Sequence, residues 1–279
     1  MTYTPLPGAR AGKAAANRIL TADPRRAQTP AIHAFRGTPV PHDRVTPLRA
    51  TTPARHRFTI SALLDTGEMV HFDHMAPRDI YLEDICANIA RGSLIATPDG
   101  HVAIEDLMPG DLVKTRDGTA HPIRWISSTT YPVSDDDAAM ETLRIKADAL
   151  GELRPLQDLV VSTSFRLLTN HPRCAELFGS AEALAPATDF LDGDMILRTR
   201  ASPHLEFFNL MTTHHQIIEV NGLETETYHP GRFGVSVMSL EAQSHLRQIF
   251  PHLNGDLGAF GQTVRPILKG FEAEALQSY

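Results

Sequence analysis

Apolar and polar positions change rhythm three times along this 279-residue chain. Residues 1–57 hold no sustained period. Their eight prolines sit among Ala, Thr and Arg, and proline at that density removes backbone donors and disfavours helix at the preceding residue. The stretch predicts a disordered arm, with Ala9–Leu20 as a candidate short helix. Order is expected to begin near Arg57. There Phe58–Leu64, the turn Asp65-Thr66-Gly67-Glu68 and Met69–Asp73 read as a small β-hairpin. Residues 76–91 read as a linker, with a short helix around Tyr81–Ala90.

From 92 to about 235 the period is close to two. Val102 and Ile104 stand two apart, and turn signals at Pro98-Asp99-Gly100, Pro109-Gly110-Asp111 and Asp117-Gly118 cut the stretch into short segments. Leu112–Thr115, Pro122–Ile126, Leu143–Ala147, Leu159–Leu168, Met195–Arg198, Leu205–Met211 and His215–Val220 are predicted strands. Ser180–Leu191 is predicted as a short helix ended by Asp192-Gly193. After Ser239, a good helix cap, the period lengthens: Ala242, Leu246, Ile249 and Phe250 share one helical face. Val264, Ile267, Leu268, Phe271 and Ala275 repeat that spacing, weakened by Pro266 and Gly270. The expected organisation is an arm at 1–57, a hairpin and linker at 58–85, a β domain at 86–235 and a helical tail at 236–279.

Composition narrows the function classes. A 42% hydrophobic content is that of a globular protein, and no apolar run approaches the roughly 18 residues that span a bilayer. The two cysteines, Cys86 and Cys174, form no CxxC pair, so a disulfide framework or cysteine zinc site is not expected. With no secretory-type apolar stretch at its start, the chain reads as cytoplasmic. The net charge of −7 is uneven: ten Lys and Arg against two acids give residues 1–57 a net of +8, and 16 against 31 give the rest a net of −15. A basic arm on an acidic body would suit nucleic acid or an anionic membrane, but it carries no aromatic interleaving for base stacking, and a solvated extension is the simpler reading. Ser134-Asp135-Asp136-Asp137 lacks EF-hand spacing and reads as a solvated loop. Fourteen histidines raise the question of a metal. His214, His215 and His229, with His204 nearby in sequence, are the closest set, yet adjacent strand residues face opposite sides, and neither an HExxH pair nor a phosphate loop is present.

Several segments carry a resemblance when taken in order. They are Gly92-Ser-Leu-Ile-Ala-Thr-Pro98, Val102-Ala-Ile-Glu-Asp-Leu-Met-Pro-Gly-Asp-Leu-Val113, Pro122-Ile-Arg-Trp-Ile126, Asp158–Leu168, Glu176-Leu-Phe-Gly179, the strand around His215 and Tyr228-His-Pro-Gly231. Over about Gly92–Gly231, roughly half the chain, they resemble the bacterial Hint group, the fold shared by hedgehog autoprocessing domains and inteins. The resemblance implies a mainly β Hint-type fold. It also implies self-processing by an acyl shift, in which a thiol or hydroxyl attacks the preceding carbonyl and a histidine helps the amide nitrogen leave.

The resemblance places the nucleophile four residues before Gly92, where Asn88 stands; a carboxamide is not a nucleophile for this step. Cys86 lies two residues further back and would cut Ile85–Cys86 if the following residues formed a longer bend; otherwise it is a small buried apolar residue. The position of the family histidine falls on Phe165, whose ring is expected in the cleft and can carry no proton. His171 is six residues on, roughly 20 Å along a strand, and reads as a loop histidine before proline. His215 fits the last histidine of the pattern, but Thr213 replaces the aspartate that would tune it. No Asn precedes a Ser, Thr or Cys in the form splicing needs. The favoured function is a degenerate self-processing domain, without cofactor or metal, kept as a folded module for an unidentified protein partner. The alternatives are a single-turnover autoproteolytic domain using Cys86 with His215 or His171, which would release residues 1–85, and an anionic-surface binder acting through the arm.

Overall fold

The computed structural model describes residues 55–77, 80–130, 141–202, 204–231 and 234–268. Residues 1–54 of the expected arm, with the Ala9–Leu20 segment, and the Ser134–Asp137 loop lie outside the described residues, while Arg55, His56 and Arg57 already belong to the first strand. Strand β1 (Arg55–Leu63) buries His56, Phe58, Ile60 and Ala62 on one face and turns through Gly67, at φ +82°, into β2 (Met69–Pro77). The hairpin does not stand alone. Phe58 to Ala62 pair antiparallel with Thr129 to Trp125 of β7 (Ala120–Thr130), so it continues a larger sheet.

Among the described residues the strands form two antiparallel sheets. The first runs β12 (Ile196–Arg200), β8 (Glu141–Ile145), β9 (Leu159–Ser162), β3 (Ile89–Ala90), β13 (Glu206–Thr212), β7, β1 and β2, with β6 (Leu112–Lys114) also on β7. The second runs β11 (Glu182–Pro186), β10 (Arg166–Asn170), β15 (Leu223–Glu226), β14 (Ile217–Val220), β4 (Leu94–Thr97) and β5 (Gly100–Ala103). A core of Ile89, Ile104, Val113, Ile123, Leu143, Phe165, Leu210 and Val220 joins the two sheets. A second core collects Phe58, Ile60, Trp125 and Met211 with α1 (Ile80–Cys86) and α3 (Leu240–Ile249). No helix among the described residues is long and apolar enough to cross a membrane.

Four expectations change in detail. The helix expected over Tyr81–Ala90 ends at Cys86, and Asn88 already donates its backbone N–H to Phe208 in the sheet. The single strand over Leu159–Leu168 is two strands, β9 and β10, broken by a turn in which Phe165 N–H donates to Ser162 O. Ser180–Leu191 is strand β11 followed by a 3-10 turn at Ala187–Phe190 rather than a helix. Its alanines favour helix locally, but β10 pairs along one edge while Pro266 and Leu268 take the backbone groups of Leu184. Val264–Leu268 is likewise not helical; Ile267 forms a parallel bridge with Leu184, and the remainder of that stretch lies outside the described residues. Helix α3 forms where the pattern placed it. Ser239 Oγ accepts from Ala242 N–H, and Ala242, Leu246 and Ile249 are buried. A short helix α2 (Pro172–Phe178) follows β10.

The second core centres on Phe250, fully buried with ring centroids 4.5 Å from Trp125, 5.4 Å from Tyr228 and 5.1 Å from Phe260. Phe250→Ala should cost about 3–5 kcal/mol in urea denaturation. Leu240→Ala, at an 83% exposed position on α3, should change stability by less than about 0.5 kcal/mol.

Candidate functional site

The end of α1, the start of β3, the turn into β10, the middle of β13 and the end of β15 meet at one cleft of about 220 Å³. Its walls carry Asp84, Ile85, Asn88, Ser164, Arg166, Asn209, Glu226, Tyr228 and His229. Three positions from the sequence reading border it directly or through a neighbour: Asn88 and His229 line it, and Cys86 follows Ile85 of its wall.

Cys86 is fully buried within the second core, and burial pushes its thiol up to about 12, against a smaller opposing effect of the Ser127 hydroxyl. Its carbonyl accepts from Ser127 Oγ at 3.2 Å. Asn209 Nδ2 donates to Ile85 O at 2.8 Å, so the carbonyl ahead of Cys86 is polarised by a buried amide. Asn88 is pinned from several sides. Its Oδ1 accepts from Ser162 Oγ at 3.1 Å, its N–H donates to Phe208 O, and its carbonyl accepts from Ser162 N–H. Ser162 Oγ also meets Ser164 Oγ at 2.8 Å.

Phe165 does not point into this cleft. Ser164 and Arg166 line it, while the ring between them is fully buried in the main core, on the opposite side of the strand. His171 is also elsewhere: it caps the N-terminus of α2, with Nδ1 accepting from Arg173 N–H at 3.2 Å. Thr213 is exposed on the bend after β13.

His215 is buried, and the expectation that it lacks an acidic partner is overturned. Its Nε2 lies 2.7 Å from Glu226 Oε2, in ion-pair contact but off the line of a hydrogen bond. Glu226 Oε1 pairs with Arg166 from β10. The other ring nitrogen, Nδ1, accepts from Val264 N–H at 2.9 Å, so the neutral ring carries its proton on Nε2, facing the carboxylate. His229 lies beside it, ring centroids 5.0 Å apart and planes tilted by 41°; its Nδ1 accepts from Gly231 N–H at 3.0 Å and its Nε2 donates to Gly261 O at 3.2 Å. Burial first, and the neighbouring His215 second, hold His229 below the usual imidazole value. His214 is exposed, on the far side from His215. Among the described residues no group of three or more His, Cys, Asp or Glu is placed to hold a metal ion.

Sequence reasoning passed over Asp84, Arg166, Asn209 and Glu226. Glu226 had a signal. Asn221-Gly222 is a two-residue hairpin turn, with φ of +50° and +82°, and it sets Ile217 opposite Glu226. His215 is then the diagonal neighbour of Glu226 on the same face. The pairing of Leu167 with Thr225 brings Arg166 opposite Glu226 one step along.

Asp84 contrasts with Glu226. Burial raises it to about 6, the charge of Glu83 adds to that, and Arg166 opposes it. A raised carboxyl favours the protonated native state, so its contribution to stability is complete below the unfolded value near 3.8 and is lost as pH climbs through about 6. Asp84→Asn should therefore exceed the parent in stability at pH 8, by on the order of 1–3 kcal/mol, with the gap closing towards pH 4. Urea titrations at the two pH values measure it; an equal gap at both would contradict the burial argument.

Against known proteins, the Hint domain family model matches residues 87–232, just over half of the chain. No curated protein matches the chain in sequence. Solved structures that resemble it include a bacterial intein-like domain from Clostridium thermocellum, 12% identical over 51% of this chain and 99% of that one, with a TM-score of 0.36. The gp41-1 intein is 14% identical over 50% of this chain and 98% of its own, at 0.29, and the MchDnaB-1 intein is 11% identical over 50% and 99%, at 0.28. Likenesses at these scores carry no part of the assignment, which rests on the family model matched across both sheets and the cleft between them: the chain belongs to the Hint domain family.

Proposed function

We propose that this Hint domain does not cleave its own backbone and serves as a folded module for contact with a protein partner. The observation that carries the reading is the state of Cys86. An acyl shift needs a nucleophilic sulfur free to approach the Ile85 carbonyl, whereas this thiol is fully buried in an apolar core. With its value pushed up to about 12, only about one thiol in 10⁵ is ionised at pH 7. Asn88, where the family nucleophile is expected, has its carboxamide oxygen committed to Ser162. Attack by Cys86 would also require α1 to unwind at its last turn, since both Ile85 and Cys86 belong to the helix.

One observation favours the second reading, self-cleavage between Ile85 and Cys86 with release of residues 1–85. Asn209 Nδ2 donates to the very carbonyl that would be attacked, and such a donor stabilises charge developing on that oxygen.

Intact mass separates the two. The purified full chain, incubated with and without hydroxylamine or a small thiol, is expected to keep its full mass, and Cys86→Ala to behave identically. A fragment pair split between Ile85 and Cys86, absent in Cys86→Ala and slowed in Asn209→Ala, would establish cleavage and overturn the favoured reading.

A further inference from the structure

We propose that Gly261–Arg265 is an acid-released strap, held over the buried His215–Glu226 pair at neutral pH and let go when His215 takes a second proton. The inference holds whether or not the chain cleaves itself.

The strap follows the 3-10 turn Leu257–Phe260 and begins at Gly261, whose φ of +75° and ψ of −148° suit glycine and make it a natural hinge. Its far end is fixed: Pro266 O accepts from Leu184 N–H, Leu268 N–H donates to Leu184 O, and Arg265 Nε donates to Glu182 Oε2 at 2.9 Å. Between these points its ties to the body are two imidazoles. Val264 N–H ends on His215 Nδ1 at 2.9 Å, and Gly261 O accepts from His229 Nε2 at 3.2 Å. The His215 side chain has no exposed surface under this cover.

Both rings use Nδ1 as an acceptor of a backbone N–H, from Val264 and from Gly231. Neither can be doubly protonated without setting two donors against each other, so a second proton on His215 expels Val264 N–H. The charged groups facing the pair are the Glu226 carboxylate from β15, the Arg166 guanidinium from β10 behind it, and each ring to the other. With the Nε2 proton of the neutral ring already facing Glu226, Nδ1 is the nitrogen left to take a second one. Two cationic rings with centroids 5.0 Å apart also repel. His229 is held below its unfolded value near 6.5, so its native contacts are complete above that pH and weaken as pH falls through the lower native value. The direction is therefore release in acid.

The strap also has somewhere to go. Gly261, Gln262 and Thr263 form one wall of a cavity of about 730 Å³, faced by Val235, Ser236 and Gln243. Movement into that space opens the His215–Glu226 pair to solvent.

Amide exchange at Val264 in the full chain reads the strap directly. Its protection factor is expected to fall at least ~10-fold between pH 7.5 and pH 5, while buried β7 amides keep theirs. His215→Gln supplies a carbonyl acceptor that does not titrate, and protection at Val264 should then stay within about twofold across the range. Constant protection in the parent, or an undiminished fall in His215→Gln, would overturn the proposal. Should that variant fail to fold, ring ¹⁵N shifts of His215 in the parent decide. Protonation of Nδ1 over the range in which Val264 loses protection supports release, and loss of protection without it refutes the strap.

Discussion

The two-sided pairing of β7 is the constraint from which the rest of the arrangement follows. One edge of this strand pairs with β13 from Ile123 to Thr130, and the other pairs first with β6 and then with β1. Both rows of backbone groups are thereby spent, and every side chain must serve one of two faces. Trp125, Ser127 and Thr129 all serve the face towards α1 and the C-terminal segment. Trp125 Nε1 donates to Ile249 O, Ser127 Oγ donates to Cys86 O, and Thr129 Oγ1 meets His56 Nε2 at 2.8 Å. Ile126 serves the main core instead. Losing register here would turn the Trp125 indole N–H and two hydroxyls into an apolar interior. The same face fixes the end of α1, and with it Asp84 and Ile85 in the cleft wall.

How much of this was legible depended on whether the signal was local. Turn chemistry was: Asp65–Glu68 and Asp117-Gly118 read directly as turns, and the Ser239 cap and the face of Ala242, Leu246 and Ile249 located α3. Non-local pairing was not. The Ala-rich Glu182–Pro186 segment favours helix by composition and becomes a strand because β10 and Pro266–Leu268 present backbone partners on both sides. Nothing within reach of residue 184 along the chain announces a bridge to residue 267.

The site shows the same division. Position counting put Asn88, Phe165 and Thr213 where the family would carry its catalytic groups. The environment was misjudged because a register says which residue occupies a position and not which way it faces. Phe165 turns into the core between two cleft residues, and His215 gains through Glu226 the carboxylate that Thr213 does not supply. Glu226 was recoverable, since the Asn221-Gly222 turn fixes its strand partner. Asn209 was not, because its contact with Ile85 joins residues 124 positions apart.

The two carboxyl groups of the cleft show what this chemistry is arranged to do. Glu226 is almost fully buried, yet it is met by the Arg166 guanidinium on one oxygen and the His215 ring on the other. Asp84 is raised to about 6 by its burial first and by the charge of Glu83 second, against the smaller opposing effect of Arg166. The cleft therefore sets a carboxyl group paired with a guanidinium beside one that keeps its proton to about pH 6, next to two imidazoles whose Nδ1 atoms accept backbone N–H groups. The buried Cys86 thiol behind the wall is pushed up to about 12. In a site organised this way, the Asp84 carboxyl takes up and gives off its proton in the mildly acidic range. The contacts that a further proton would break are those in which His215 and His229 accept backbone N–H groups from Val264 and Gly231.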